Sequence, residues 1–108
     1  MHMIKRKVIH LSGSFDPFRH PEVINFLESV ADQEEDEIVF DLKELIYLHY
    51  KSGSVLEKLK NRLNVKGKKL KLKNVRPYFI QVLNLSGHDW SKEIIQKRYR
   101  RKRDINSL

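Results

Sequence analysis

The sequence contains no cysteine, which removes disulfides, thiol catalysis and cysteine-ligated zinc or iron–sulfur centres together. An intracellular, cytoplasmic address fits that composition. Long hydrophobic runs are missing as well. Crossing a bilayer takes about 20 consecutive apolar residues, and the basic start Lys5-Arg6-Lys7 is followed only by a short apolar run ending at Gly13. Neither a membrane anchor nor a secretion signal is therefore expected. With four glycines and three prolines there is no low-complexity linker, and no repeat of solenoid period is visible. Met1-His2-Met3 is given no weight.

What is present is the profile of one soluble domain. The chain has 108 residues, 40% of them hydrophobic and 33% charged, enough apolar side chain to offset the chain entropy of a single core. The formal net charge is +8, but its location matters more than its sum. Lys97, Arg98, Arg100, Arg101, Lys102 and Arg103 supply six of those charges near the C-terminus, so the body is only mildly basic. Within the body, Glu34 to Glu37 form an acidic run, and Lys66, Lys68, Lys69, Lys71 and Lys73 a basic one.

Val8 to Leu11 reads as a strand closed by the turn signal Ser12-Gly13. Pro21 suits a first helical turn, where its missing N–H costs nothing, and Val23, Phe26, Leu27 and Val30 follow at helical spacing, predicting a helix over about 20–31. After the polar run 32–37, Ile38 to Leu42 has the uninterrupted apolar character of a strand in mid-sheet. The next apolar run, Leu45 to Leu48, is ambiguous by pattern alone. Ser52 or Ser54 is placed to cap a second helix with Val55, Leu56, Leu59 and Leu63 on one stripe, stopped near Gly67. Leu70 and Leu72 alternate with lysines as a strand with one solvated face. Pro77 opens a third helix carrying Phe79, Val82 and Leu83, closed by Gly87. A last segment from about Ser91 to Arg103 is expected to be helical, with only Ile94, Ile95 and Tyr99 to bury. Alternating strands and helices predict α/β layers with helices covering a sheet.

Four segments, in this order, resemble the STAS domain family, the fold of anti-sigma factor antagonists. Val8-Ile9-His10-Leu11-Ser12-Gly13-Ser14-Phe15-Asp16 is similar to the family's opening strand and its Leu-x-Gly-x-Leu/Phe-Asp signature. Ile38-Val39-Phe40-Asp41-Leu42, with Leu45 and Leu48, resembles the central strand whose Asp-Leu precedes the switch loop. Gly67 to Val75 resembles Gly-x-x-Leu-x-Leu-x-Asn-Val, and Val82-Leu83-Asn84-Leu85-Ser86-Gly87 the Val-Leu-x-Leu-x-Gly end of the third helix. The resemblance implies a four- or five-stranded mixed sheet with helices mainly on one face. It divides the chain into an N-terminal extension (1–6), a STAS-like domain (7–90) and a basic C-terminal helix or tail (91–108).

The sequence departs from the family where its regulatory chemistry lies. Regulatory members share Asp-Ser-Ser-Gly at the start of the second helix, where a partner kinase phosphorylates one serine. An ungapped comparison, the one preferred, places His49-Tyr50-Lys51-Ser52 on that motif. A slip of one residue puts Ser52-Gly53 on its Ser-Gly pair and makes Ser52 the candidate phosphorylation site. Phosphate at a helix start is held by free N–H groups and the positive helix end. Lys51 puts a positive charge there, which the dipole disfavours. A partner carboxylate opposite it and simple exposure both account for its presence.

Other chemistry lacks support. His2, His10, His20, His49 and His88 include no pair at metal-binding helical spacing and no His-Glu-x-x-His pattern, so no metal is expected. Ser52, His49 and Asp41 form a serine–histidine–acid trio on paper, without a nucleophile elbow or oxyanion glycines. Gly13 and Gly53 are isolated, so no phosphate-cradling loop is present. The chain is read as non-enzymatic and without a cofactor. It is expected to bind a protein partner, an anti-sigma kinase or related signalling protein, through His49, Tyr50, Lys51, Ser52, Gly53, Ser54 and Val55. The alternative is a STAS subunit of a membrane transport assembly, working with a transport ATPase. A third reading gives Lys97, Arg98, Arg100, Arg101, Lys102 and Arg103 a role in binding nucleic acid or an anionic membrane surface, against the plainer account of a solvated tail. The tail reading is separable: deletion after Gln96 should leave protein–protein binding intact, and should abolish a salt-dependent mobility shift only if the tail binds nucleic acid.

Overall fold

The computed structural model describes residues 3–95. The elements run β1 (Arg6–Phe15), α1 (Glu22–Ala31), β2 (Glu37–Leu48), α2 (Ser52–Val65), β3 (Lys69–Lys73) and α3 (Pro77–Asn84), then one turn of 3-10 helix, Trp90–Lys92. The strands form one sheet in the order β1-β2-β3, with β2 parallel to both neighbours. The expected four- or five-stranded mixed sheet is thus corrected, among the described residues, to three parallel strands. The difference lies in two apolar runs. Leu45 to Leu48 does not start a new element; it continues β2 to twelve residues. Ser12-Gly13 is not a turn but lies inside β1. Two register shifts let β2 carry extra residues against β1, between His10 and Ser12 and between Gly13 and Ser14. Gly13 has φ +71°, a conformation that glycine adopts without a Cβ clash, and it absorbs the second irregularity.

Side-chain alternation sorts the sheet into two faces. Ile38, Phe40 and Leu42 of β2 with Leu70 and Leu72 of β3 point to one side, where they join Leu27, Val30 and Ala31 of α1, Leu56, Leu59 and Leu63 of α2, and Phe79, Val82 and Leu83 of α3 in a single core. The three helices pack on that face. The opposite face carries three cross-strand rows, Arg6–Glu37–Lys69, Val8–Val39–Lys71 and His10–Asp41–Lys73. Each carboxylate of β2 there lies between basic residues, with Arg6 2.9 Å from Glu37 and His10 3.2 Å from Asp41. The acidic run is partly structural in the same way, since Asp36 accepts the Lys5 N–H at 3.1 Å.

Beyond Asp41, β2 outruns β3, whose pairing ends at Asp41–Lys73. The chain after β3 supplies the missing donors. Asn74 adopts φ +59°, a left-handed conformation that asparagine tolerates, and donates from its side chain to Asp41 Oδ1 at 2.9 Å. The same oxygen accepts the Lys43 N–H at 3.0 Å. Arg76 then donates to the carbonyls of Leu45 and Lys43. Two polar side chains and a guanidinium thereby hold the irregular half of β2 against the start of α3.

Three local expectations are corrected. Neither Ser52 nor Ser54 caps α2: Lys51 is the N-cap, without a side-chain cap bond, and Ser52 is the first helical residue. Helix α1 begins later than expected, with Pro21 at its N-cap. The segment from Ser91 does not continue as a helix: the 3-10 turn Trp90–Lys92 gives way to a β-bridge at Ile94. Asp89 accepts the Ser91 N–H at 3.0 Å to cap the short turn, Trp90 is fully buried in the core, and Ile94 makes a parallel bridge to Leu72. An extended backbone lets Ile94 pack on the core while Leu72 donates to the Glu93 carbonyl at 2.8 Å and Ile95 to the Leu72 carbonyl at 2.7 Å. Lys97, Arg98, Arg100, Arg101, Lys102 and Arg103 lie outside the described residues.

Burial pushes the Asp41 carboxyl up, but hydrogen bonds from Asn74 and Lys43 and the charges of His10 and Lys73 outweigh it and hold the group below its ordinary value. A carboxylate with a depressed folded-state value adds stability that is full above the unfolded value of about 3.9 and is lost as pH falls through the folded one. Asp41→Ala should therefore destabilise the chain by about 1–3 kcal/mol at neutral pH, the range for unmaking buried hydrogen bonds. The gap between variant and wild type in urea melts should narrow as pH falls below about 4.

Candidate functional site

In a parallel sheet the loop leaving each strand and the start of the following helix gather at one end, the usual place for a binding site. Here that end collects the turn after β1, the β2–α2 loop and the start of α3. The β1 turn is set by Asp16, whose Oδ1 accepts the N–H groups of Phe18 and Arg19, each at 3.1 Å. Partial burial pushes its carboxyl up, yet these N–H bonds and the fields of His49 and His20 bring it below the ordinary value. The turn holds Phe18 outward, 57% exposed.

The segment expected to bind a partner, His49 to Val55, is one continuous stretch whose residues face different ways. Its base is rigid. The His49 N–H donates to the Phe15 carbonyl at 3.0 Å, and the Ser52 hydroxyl, fully buried, points at that same carbonyl at 3.5 Å. Gly53 is buried against α3: a Cβ there would stand 2.2 Å from the Leu83 carbonyl oxygen. Only glycine allows α2 and α3 to approach so closely. Val55 turns towards α1, lining a groove with Ile24 and Leu27. Outward from this base stand Tyr50, Lys51 and Ser54, all exposed.

The exposed side chains form an aromatic cluster. The His49 ring stacks on Tyr50 with centroids 4.6 Å apart and meets Phe18 at 4.8 Å. The Lys51 ammonium lies 5.7 Å from the ring centres of both Phe18 and Tyr50. Cation–π attraction thus offsets the unfavourable helix dipole at Lys51. His49 Nδ1 accepts the Lys51 N–H at 3.1 Å, which closes the loop upon itself. Ile46 and Tyr47 at the end of β2 and Tyr78 at the start of α3 add further exposed apolar surface at the same end of the sheet.

Phe18, Ile46, Tyr47 and Tyr78 are not among the residues expected from the sequence, and the fold brings them to the same end of the sheet as His49 to Val55. Phe18 follows the Asp16-Pro17 signal but has no periodicity of its own, and Tyr78 is hidden beside Pro77. The paper trio of Ser52, His49 and Asp41 is not assembled: Ser52 faces Phe15, His49 receives Lys51, and Asp41 binds Asn74. Among the described residues there is no group of three or more histidines and carboxylates able to hold a metal ion. No described helix is long and apolar enough to cross a membrane.

A family model described as "Mlab, STAS domain" matches residues 4–96. Among solved structures, the anti-sigma factor antagonist SpoIIAA in its unphosphorylated form superposes with a TM-score of 0.69 at 16% identity, over 91% of this chain and 84% of that one. The STAS domain of a SulP transporter from Vibrio cholerae gives a TM-score of 0.60 at 13% identity, over 87% of this chain and 75% of that one. No curated protein matches. At these identities the structural likenesses establish the fold.

The close approach at Gly53 has a direct consequence for stability. Gly53→Ala should push α2 off α3 and cost about 1–3 kcal/mol, typical of overpacking a filled site. Ser54→Ala, one residue further on and exposed, should change the urea midpoint by less than about 0.5 kcal/mol equivalent.

Proposed function

The chain belongs to the STAS domain family, and we propose that it is a non-enzymatic docking module that recognises a protein partner through the start of α2. The observation that carries this reading is the cluster of Phe18, His49, Tyr50 and Lys51, presented outward on a base fixed by Ser52 and Gly53. Exposed tyrosine and aromatic anchors on a rigid support are the usual centres of binding energy in protein interfaces. The location is cytoplasmic in this reading.

The packing also bears on the phosphorylation motif. A glycine that must meet a backbone carbonyl supports aligning Tyr50-Lys51-Ser52-Gly53 with the family's Asp-Ser-Ser-Gly, in place of the ungapped comparison. The exposed serine position is then Lys51, and the remaining serine, Ser52, has its hydroxyl in the interior. A kinase would have to unwind the first turn of α2 to reach it. Docking here therefore runs without a phosphoserine switch, and the Lys51 ammonium favours a carboxylate on the partner.

The preferred partner is an anti-sigma kinase or related signalling protein. The lost switch position supports a second reading, a permanently docked STAS subunit of a membrane transport assembly, since a constitutive subunit needs no phosphorylation to release it.

Affinity capture from the native host distinguishes the two, by recovery of a signalling kinase or of a transport ATPase. In either case Tyr50→Ala and Lys51→Glu should each weaken capture about tenfold or more, the effect of losing roughly 1.4 kcal/mol, while leaving the melting temperature unchanged. Stoichiometric phosphate on Ser52 after incubation with the captured kinase and ATP would overturn the switch-free reading.

A further inference from the structure

The sheet has two edges, and they are treated differently. At β3 the outer edge is met by Ile94 through its bridge to Leu72. At β1 no described residue pairs with the outer edge, although the strand is ten residues long. Typical strands have about 5–6 residues, and an uncovered edge of this length is a template for another strand.

The direction of the free backbone groups follows from the pairing. The Lys5 carbonyl accepts the N–H groups of Asp36 and Glu37 at 2.9 and 3.1 Å, so Lys5, Lys7 and Ile9 turn their backbone groups to β2. By alternation, Val8 and His10 turn theirs away from the sheet. Beside this edge, between β1 and α1, runs a groove of about 260 Å³ whose floor includes Ile9, Leu11, Val23 and Phe26. All four are only partly buried, though they pack on the core. An added strand would satisfy the free backbone groups and lay every second side chain over this floor.

The charges select the occupant. Lys5 and Lys7, which share a face with Ile9 and Leu11, make the edge cationic, while Arg6 and His10 face the other way and pair with Glu37 and Asp41; the carboxylate lining the groove is that of Glu22. The sequence after Ile95 is itself strongly basic and offers no charge complementary to this edge, and two copies pairing β1 to β1 would join like charges. We infer that the free edge of β1 is a strand-addition site for an extended segment of a partner protein that sets apolar side chains against Ile9 and Leu11 and, further along the same face, acidic side chains against Lys5 and Lys7. It is a surface separate from the His49–Val55 loop and does not depend on what that loop binds.

The test is residue-resolved amide exchange of the full chain with a synthetic peptide that carries two glutamates and two valines at successive same-face positions, to lie against Lys5 and Lys7 and against Ile9 and Leu11, with threonine between them, compared with the same peptide carrying lysine in place of glutamate. The glutamate peptide at saturation should slow exchange at Val8 and His10 about tenfold or more and leave Tyr50 and Lys51 unchanged; the lysine peptide should do neither. Val8→Pro removes an outward N–H without touching the β1–β2 ladder and should abolish the protection. The double variant Lys5→Glu, Lys7→Glu should reverse the peptide preference even if the proline variant fails to fold. Equal protection by both peptides, none by either, or protection confined to the His49–Val55 loop refutes the site. Two further results also refute it: protection of Val8 and His10 in the free chain that grows with protein concentration, which identifies a second copy, or that disappears on deletion after Gln96, which identifies the tail.

Discussion

Parallel pairing of β2 on both sides is the constraint from which the rest of the molecule follows. A parallel neighbour cannot be reached by a tight turn, so β1 and β2, and then β2 and β3, are each joined through a helix. Both helices fall on one face, and the core forms between them and Ile38, Phe40 and Leu42. The other face is left with Val39 buried under its neighbours and with carboxylates held between cations. The ion pairs to Glu37 and Asp41 come from Arg6 and His10 of β1, and Lys73 of β3 adds its field at Asp41.

Because β2 is much longer than β3, its second half needs hydrogen-bond partners that no strand supplies. Asp41, Asn74 and Arg76 meet that need. Two of these residues belong to the segments by which the chain resembles its family, the Asp-Leu of the central strand and the Asn-Val after β3. Their shared presence is explained by one contact that fixes the start of α3 against β2. With α3 fixed, the Leu83 carbonyl becomes the wall against which Gly53 packs. The end of the molecule that carries the His49–Val55 segment is thus held in place for reasons that lie in the sheet.

Rigidity at the base and variation at the rim divide the labour within a few residues. Ser52 and Gly53 are interior, and substitutions there are felt as strain. Tyr50, Lys51 and Phe18 are exterior and can change without disturbing the fold. The rings of Phe18 and Tyr50 hold the Lys51 ammonium at the start of α2.

Much of the fold was legible in the residues themselves. Helical spacing in Val23 to Val30, Val55 to Leu63 and Phe79 to Leu83, and the apolar run of Ile38 to Leu42, follow from how each segment must bury one side, which is a local property. Prolines 21 and 77 marked two helix starts because the ring suits an unpaired N–H. The loop at His49 to Val55 was legible from its order among the family's segments. Tertiary structure decided the rest. Leu45 to Leu48 is strand because Arg76 and β1 pair with it, and Ser12-Gly13 is strand because bulges in β2 can take up the mismatch. Ile94 is extended because β3 has an open edge. Ser52 is an interior residue whose hydroxyl points at the Phe15 carbonyl, 37 residues earlier in the chain. Contacts of that kind have no signature in a neighbouring residue, and they determine which side chains of the loop face outward.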